Sequence, residues 1–72
     1  MEENIIYIVM EIQSDGSTAN SIITPYDNRN TAENKYHTIL AAASVSEVPK
    51  HSAVMLTDDG TRIKGETYYH GA

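Results

Sequence analysis

Residues 5–12 place Ile5, Tyr7, Val9 and Glu11 on one side of an extended chain and Ile6, Ile8, Met10 and Ile12 on the other. One face is wholly apolar and the other nearly so, the pattern of a central strand covered on both sides. The spacing predicts a strand from Asn4 to Gln13. Ser14-Asp15-Gly16-Ser17 then supplies turn chemistry, because Asp tolerates and Gly favours positive φ. A second strand follows over Thr18–Thr24, with Ile22 and Ile23 as its strong apolar residues and Pro25 ending it.

Beyond a polar loop the period changes. Ala32, Tyr36, Ile39, Leu40 and Ala43 follow the i, i+4, i+7, i+8, i+11 spacing of a helix stripe. Asn30, with Glu33 three residues on, reads as a capping box, and Asp27 or Asn28 offers a cap one turn earlier. Val48-Pro49 leads into a third strand, Ser52–Thr57, carrying Val54, Met55 and Leu56. Asp58-Asp59-Gly60 turns the chain into a fourth strand over Thr61–His70. Here Ile63, Gly65, Thr67 and Tyr69 alternate with Arg62, Lys64, Glu66 and Tyr68. Gly65 inside that strand suggests a bulge or a close backbone approach.

The expected fold is α+β: a single small domain spanning residues 1–72, in the order ββαββ, with a four-stranded, mainly antiparallel sheet and one helix packed on one face. One helix covers one face only. Ile5, Tyr7 and Val9 are then the expected residues of the other, a surface too apolar to leave in water. A homo-oligomer joined through that face or through a strand edge is the expected answer.

Composition narrows the function classes. Ten acidic residues against five basic give a net charge of −5 in 72 residues. That balance lacks the cationic footprint of a nucleic-acid binder and disfavours anionic membrane surfaces. The chain has no Cys, so disulfides and thiolate metal sites are excluded. Glu2 and Glu3 stand where a secretory leader has basic residues, and the apolar run at 5–10 is far short of a membrane span, so a cytoplasmic location is expected.

The chemical candidates are few. His37, four residues after Glu33, shares its helix face, the spacing of an ordinary surface pair as well as of a base and its orienter. His51 lies in the loop beside the third strand, and His70 near the end of the fourth is expected to fray. No His or Cys pair has zinc-ligand spacing, and the two Asp-Gly turns lack the alternating oxygen ligands of a calcium loop, so no metal or cofactor is expected. No nucleophile elbow or phosphate-cradling glycine loop occurs, and a non-enzyme is expected. Tyr and Arg remain, the residue types enriched at interfaces, although most of the tyrosines also serve a core without Phe or Trp.

The string Tyr26-Asp27-Asn28-Arg29-Asn30, then Ala32-Glu33, Lys35-Tyr36-His37 and Leu40-Ala41-Ala42-Ala43, resembles a group of short ββαββ proteins of bacterial genomes and their phages. Val48-Pro49, His51-Ser52-Ala53 and Asp59-Gly60 extend the resemblance across residues 5–70. No activity is attached to that group. Its setting implies a stoichiometric inhibitor of a host system, acting on a protein or on a signalling nucleotide. The leading expectation is therefore a non-catalytic, homo-oligomeric protein that binds another protein. The alternative is a small-ligand sponge that holds an anionic, nucleotide-like molecule between subunits. Arg29, His37, His51, Arg62 and Tyr68 are the candidate binding residues for either.

Overall fold

Asp15 Oδ1 accepts the Ser17 and Thr18 amides at 2.8 and 2.9 Å, and Gly16 takes φ +94°, a combination that reverses the chain in a tight turn. Gly60, at φ +90°, does the same for the second hairpin. These turns join β1 (Tyr7–Ser14) to β2 (Ala19–Tyr26) and β3 (Lys50–Thr57) to β4 (Arg62–Tyr69), with α1 (Arg29–Ala43) between the hairpins. The computed structural model describes residues 4–71. Glu2 and Glu3, on which the expectation about a leader rests, lie outside them.

The four strands form one sheet in the order β2-β1-β3-β4, and every neighbouring pair is antiparallel. The expected ββαββ architecture is the observed one. Helix α1 therefore connects two parallel strands, β2 and β3, by crossing over β1. Its stripe is the expected one: Ala32, Tyr36, Ile39, Leu40 and Ala43 are all buried. Ala32, Tyr36, Ile39 and Leu40 meet Val9, Ala53 and Met55 of the sheet to form the core, with Tyr7, Tyr26 and Ile63 packed at its margin. Ala32 and Ala43 bring the helix close, and Tyr36 supplies the bulk that the missing Phe and Trp would provide.

Four local expectations are corrected. Asn30 is not the cap: the alternative, Asn28, caps the helix, its side chain accepting from the Asn30 and Thr31 amides at 2.8 and 3.1 Å, so Asn30 lies inside the helix and Glu33 closes no capping box. Pro25 does not end the second strand. It sits within β2, opposite Ile8, where an edge strand accommodates a residue without N–H. Ile63 leaves the face it was expected to share with Gly65: a bulge opposite Met55/Leu56 shifts the register and lets Ile63 pack against the core. His70 is not frayed, because its Nε2 bonds the Ala43 carbonyl at 2.7 Å and its ring stacks on Tyr68.

The buried side of β1 also differs from expectation, with the largest consequence for function. Val9 is 1 % exposed and lies under the helix, with Tyr7 beside it. Both belong to the covered face, not to the open one expected to make oligomer contacts. Both faces of β1 are apolar enough to be core, so the strand's own pattern did not distinguish them. Ile5 precedes β1 and remains partly exposed. Among the described residues, no helix is long and apolar enough to cross a membrane.

Candidate functional site

The register fixes what the uncovered face presents. Val9, Met55 and Ala53 point to the helix, so their neighbours along each strand point away. From β1 these are Ile8, Met10 and Ile12; opposite them on β2 lie Pro25, Ile23 and Ser21. On the other side of β1, β3 contributes Leu56, Val54 and Ser52, with Lys50 at its start. The last strand adds Arg62, Gly65, Thr67 and Tyr69. Ile23 is 58 % exposed. In a chain of net charge −5, this face carries no carboxylate among the described residues, and its only charges are the cations Lys50 and Arg62.

The described carboxylates lie elsewhere, in the turns, on the helix and on the covered face. Glu33 is the hub of the helix's outer flank: it bonds Lys64 across the gap to β4, and lies 3.4 Å from Arg29 and 3.5 Å from His37. The Lys64 ammonium holds the Glu33 carboxyl below its ordinary value. Lys64 also stands 5.1 Å over the Tyr36 ring, and Arg29 6.0 Å over Tyr7. Burial pushes the Tyr36 hydroxyl up, with the Glu66 charge adding to it.

The five candidate binding residues do not converge. His37 and Tyr68 line a groove of about 520 Å³ between α1 and β4, together with Tyr36, Lys64 and Glu66. Arg29 is at the start of the helix over Tyr7, and Arg62 lies on the opposite face of the sheet beside Gly65. His51 is corrected from loop to β3 and is 4 % exposed. The groove mixes Lys64 with Glu66, so its charges give no net attraction for an anion.

Sequence reasoning missed the partners of His51. Its Nε2 lies 2.6 Å from Glu11 Oε2 and its Nδ1 2.8 Å from Ser46 Oγ. Burial pushes the Glu11 carboxyl up, but hydrogen bonds from His51 and Gln13 outweigh it and leave the group below its ordinary value. An ionised Glu11 only accepts, so Nε2 donates to it, while the Ser46 hydroxyl, able to donate or accept, pairs with Nδ1. The order Ser–His–carboxylate is that of a hydrolase relay, but its setting differs. Both ring nitrogens are engaged, the imidazole is enclosed, and Ser46 Oγ also accepts the Val48 amide at 3.3 Å. The arrangement ties β1, β3 and the connection after α1 together. A separation of 40 residues between Glu11 and His51 left no signal in the sequence. Among the described residues, no group of three or more His, Cys, Asp or Glu is gathered to hold a metal.

No protein-family model, curated protein or solved structure matches this chain.

Proposed function

We propose that the protein is a non-catalytic interaction module that docks its uncovered sheet face onto another protein. The observation that carries this reading is the character of that face: aliphatic from Ile8 to Leu56, free of carboxylates, and rimmed by Lys50 and Arg62 in an otherwise acidic chain. Apolar surface of this kind marks an interaction site when it stays contiguous. Its complement is an apolar protein surface of neutral to acidic character. The resemblance to phage-encoded proteins supports stoichiometric inhibition of a host protein as the form of action. The enclosed state of His51 supports a structural rather than catalytic use of its relay. The sponge reading loses support because its five residues are dispersed over both faces.

The test is native mass spectrometry on protein recovered gently from a natural host extract, alongside the double variant Ile23→Lys, Val54→Lys. The expected result is a protein partner on the wild type and none on the variant, with unchanged circular dichroism. A wild type that carries only small-molecule mass, or carries nothing, overturns the reading.

A further inference from the structure

The sheet has two edges, and they differ in what their backbones offer. In an antiparallel ladder, alternate residues turn their N–H and C=O toward the neighbouring strand and the rest turn outward. His70 N–H donates to the Pro49 carbonyl at 2.8 Å, which sets the parity of β4. Tyr68 and Glu66 therefore face β3, and Gly65, Thr67 and Tyr69 present N–H and C=O to open water. At the other edge, Asp15 N–H donates to the Thr18 carbonyl. The same alternation turns Pro25 outward, where it has no N–H to give. The β2 edge thus turns Ala19, Ser21 and Ile23 outward and is interrupted at Pro25, whereas every outward residue of β4 from Gly65 to Tyr69 keeps its N–H.

We propose that β4 pairs antiparallel with β4 of a second copy, with the two-fold axis at Thr67. Outward residues must meet outward residues, so few registers exist. An axis at Gly65 runs the second strand onto the bulge at Ile63 and Lys64. An axis at Glu66 sets that carboxylate directly against its own copy, a destabilising pair. An axis at Tyr68 slides Gly65 past the end of β4, opposite Gly71, and an axis at Thr67 avoids all three faults. Thr67 then faces Thr67, a favourable cross-strand pair, and Glu66 faces Tyr68.

Tyr69, 72 % exposed and unpacked in the single chain, comes to lie opposite Gly65 of the second copy. There the Arg62 guanidinium already lies over the glycine, with its Nη2 2.6 Å from where a Cβ would stand. An aromatic ring opposite a strand glycine covers the backbone that the glycine leaves bare. The same ring meets Arg62 in a cation–π contact. The product is a continuous antiparallel sheet of eight strands, twice the four of one chain. Both helices lie on one side and both aliphatic faces join on the other. Edge pairing leaves those faces free, so it stands independently of the partner binding proposed above.

The test is sedimentation equilibrium of the full chain from micromolar to millimolar concentration, with Thr67→Pro as the key variant. Proline at 67 removes an outward N–H from each copy and leaves the β3 ladder bonds in place. A wild-type dimer whose dissociation constant rises at least about tenfold in Thr67→Pro is the expected result, since two cross-strand bonds are lost. Thr67→Cys is a second variant that needs no proline. The chain has no Cys of its own, so oxidation is expected to give a disulfide-linked dimer with native circular dichroism. A wild type that stays monomeric throughout overturns the proposal. So does a dimer that ignores Thr67→Pro but dissociates in Ile23→Lys, Val54→Lys, which would assign self-association to the aliphatic face.

Discussion

His51 Nε2 and Glu11 Oε2 lie 2.6 Å apart, joining β3 to β1 at the end of the sheet where the helix finishes. The pair is a long-range tie in a small domain with no disulfide, so its loss is felt throughout the fold. His51→Ala leaves Glu11 with Gln13 as its remaining side-chain partner and Ser46 without its imidazole partner. The expected cost is about 1–3 kcal/mol in urea unfolding at pH 7, the penalty of orphaned, partly buried polar groups. Glu11→Gln keeps a hydrogen-bonding group in place and is expected to cost less.

The same pair sets an acid dependence. Glu11 has a folded pKa below its ordinary value of 4.5, so the unfolded chain binds the proton more readily. Its contribution is present above the ordinary carboxylate range and is lost as pH falls through the folded value. Unfolding free energy measured from pH 7 down to pH 3 is expected to drop further in the wild type than in Glu11→Gln. Parallel curves for the two proteins would show that another carboxylate governs the acid limb.

Asn28 holds the first turn of α1 by accepting two amides, whereas Asn30 sits one residue inside the helix. Asn28→Ala is expected to cost about 1 kcal/mol, and Asn30→Ala to leave the thermal midpoint almost unchanged. Equal effects would mean that the cap is shared.

The helix stripe and the element order were legible because each rests on a local period. Ala32 to Ala43 repeat at 3.6 residues, and the strands repeat at two. The choice between Asn28 and Asn30 was not legible, since both are cap-forming residues within one turn of each other. Nor was the buried side of β1: Tyr7 and Val9 against Ile8 and Met10 offers no polarity difference, and only the pairing with Met55 and Ala53 decides it. The His51 site depends on side chains far apart in sequence. The bulge at Ile63 depends on how β3 and β4 meet after Gly60, which alternation alone does not encode.

Met55 and Val54 are adjacent, and they test that face assignment directly. Met55 is fully buried beneath the helix, and Val54 lies on the uncovered side. Met55→Ala is expected to cost about 2–5 kcal/mol through lost burial and the cavity left behind. Val54→Ala is expected to cost about 1 kcal/mol or less, within the span of strand preference. Urea unfolding of the two variants is the measurement, and a reversed order would put the helix on the wrong face.

Two glycines with opposite surroundings give the last contrast. Gly60 has nothing within 4 Å of the place a Cβ would take, yet its φ of +90° strains any L side chain. Gly60→Ala is expected to cost about 1–2 kcal/mol with no steric clash at all. Gly65 has no positive φ, and the atoms in its way belong to the far end of the Arg62 side chain. That guanidinium is free to swing into water, and a strand interior prefers alanine to glycine. Gly65→Ala is therefore expected to change the stability of the dilute single chain by no more than about 0.5 kcal/mol. In the edge-paired dimer proposed above, the same substitution fills the space opposite Tyr69 of the second copy and displaces Arg62 from it. Unfolding in dilute solution together with sedimentation in concentrated solution then separates the two roles: Gly60→Ala weakens the fold, and Gly65→Ala weakens the assembly.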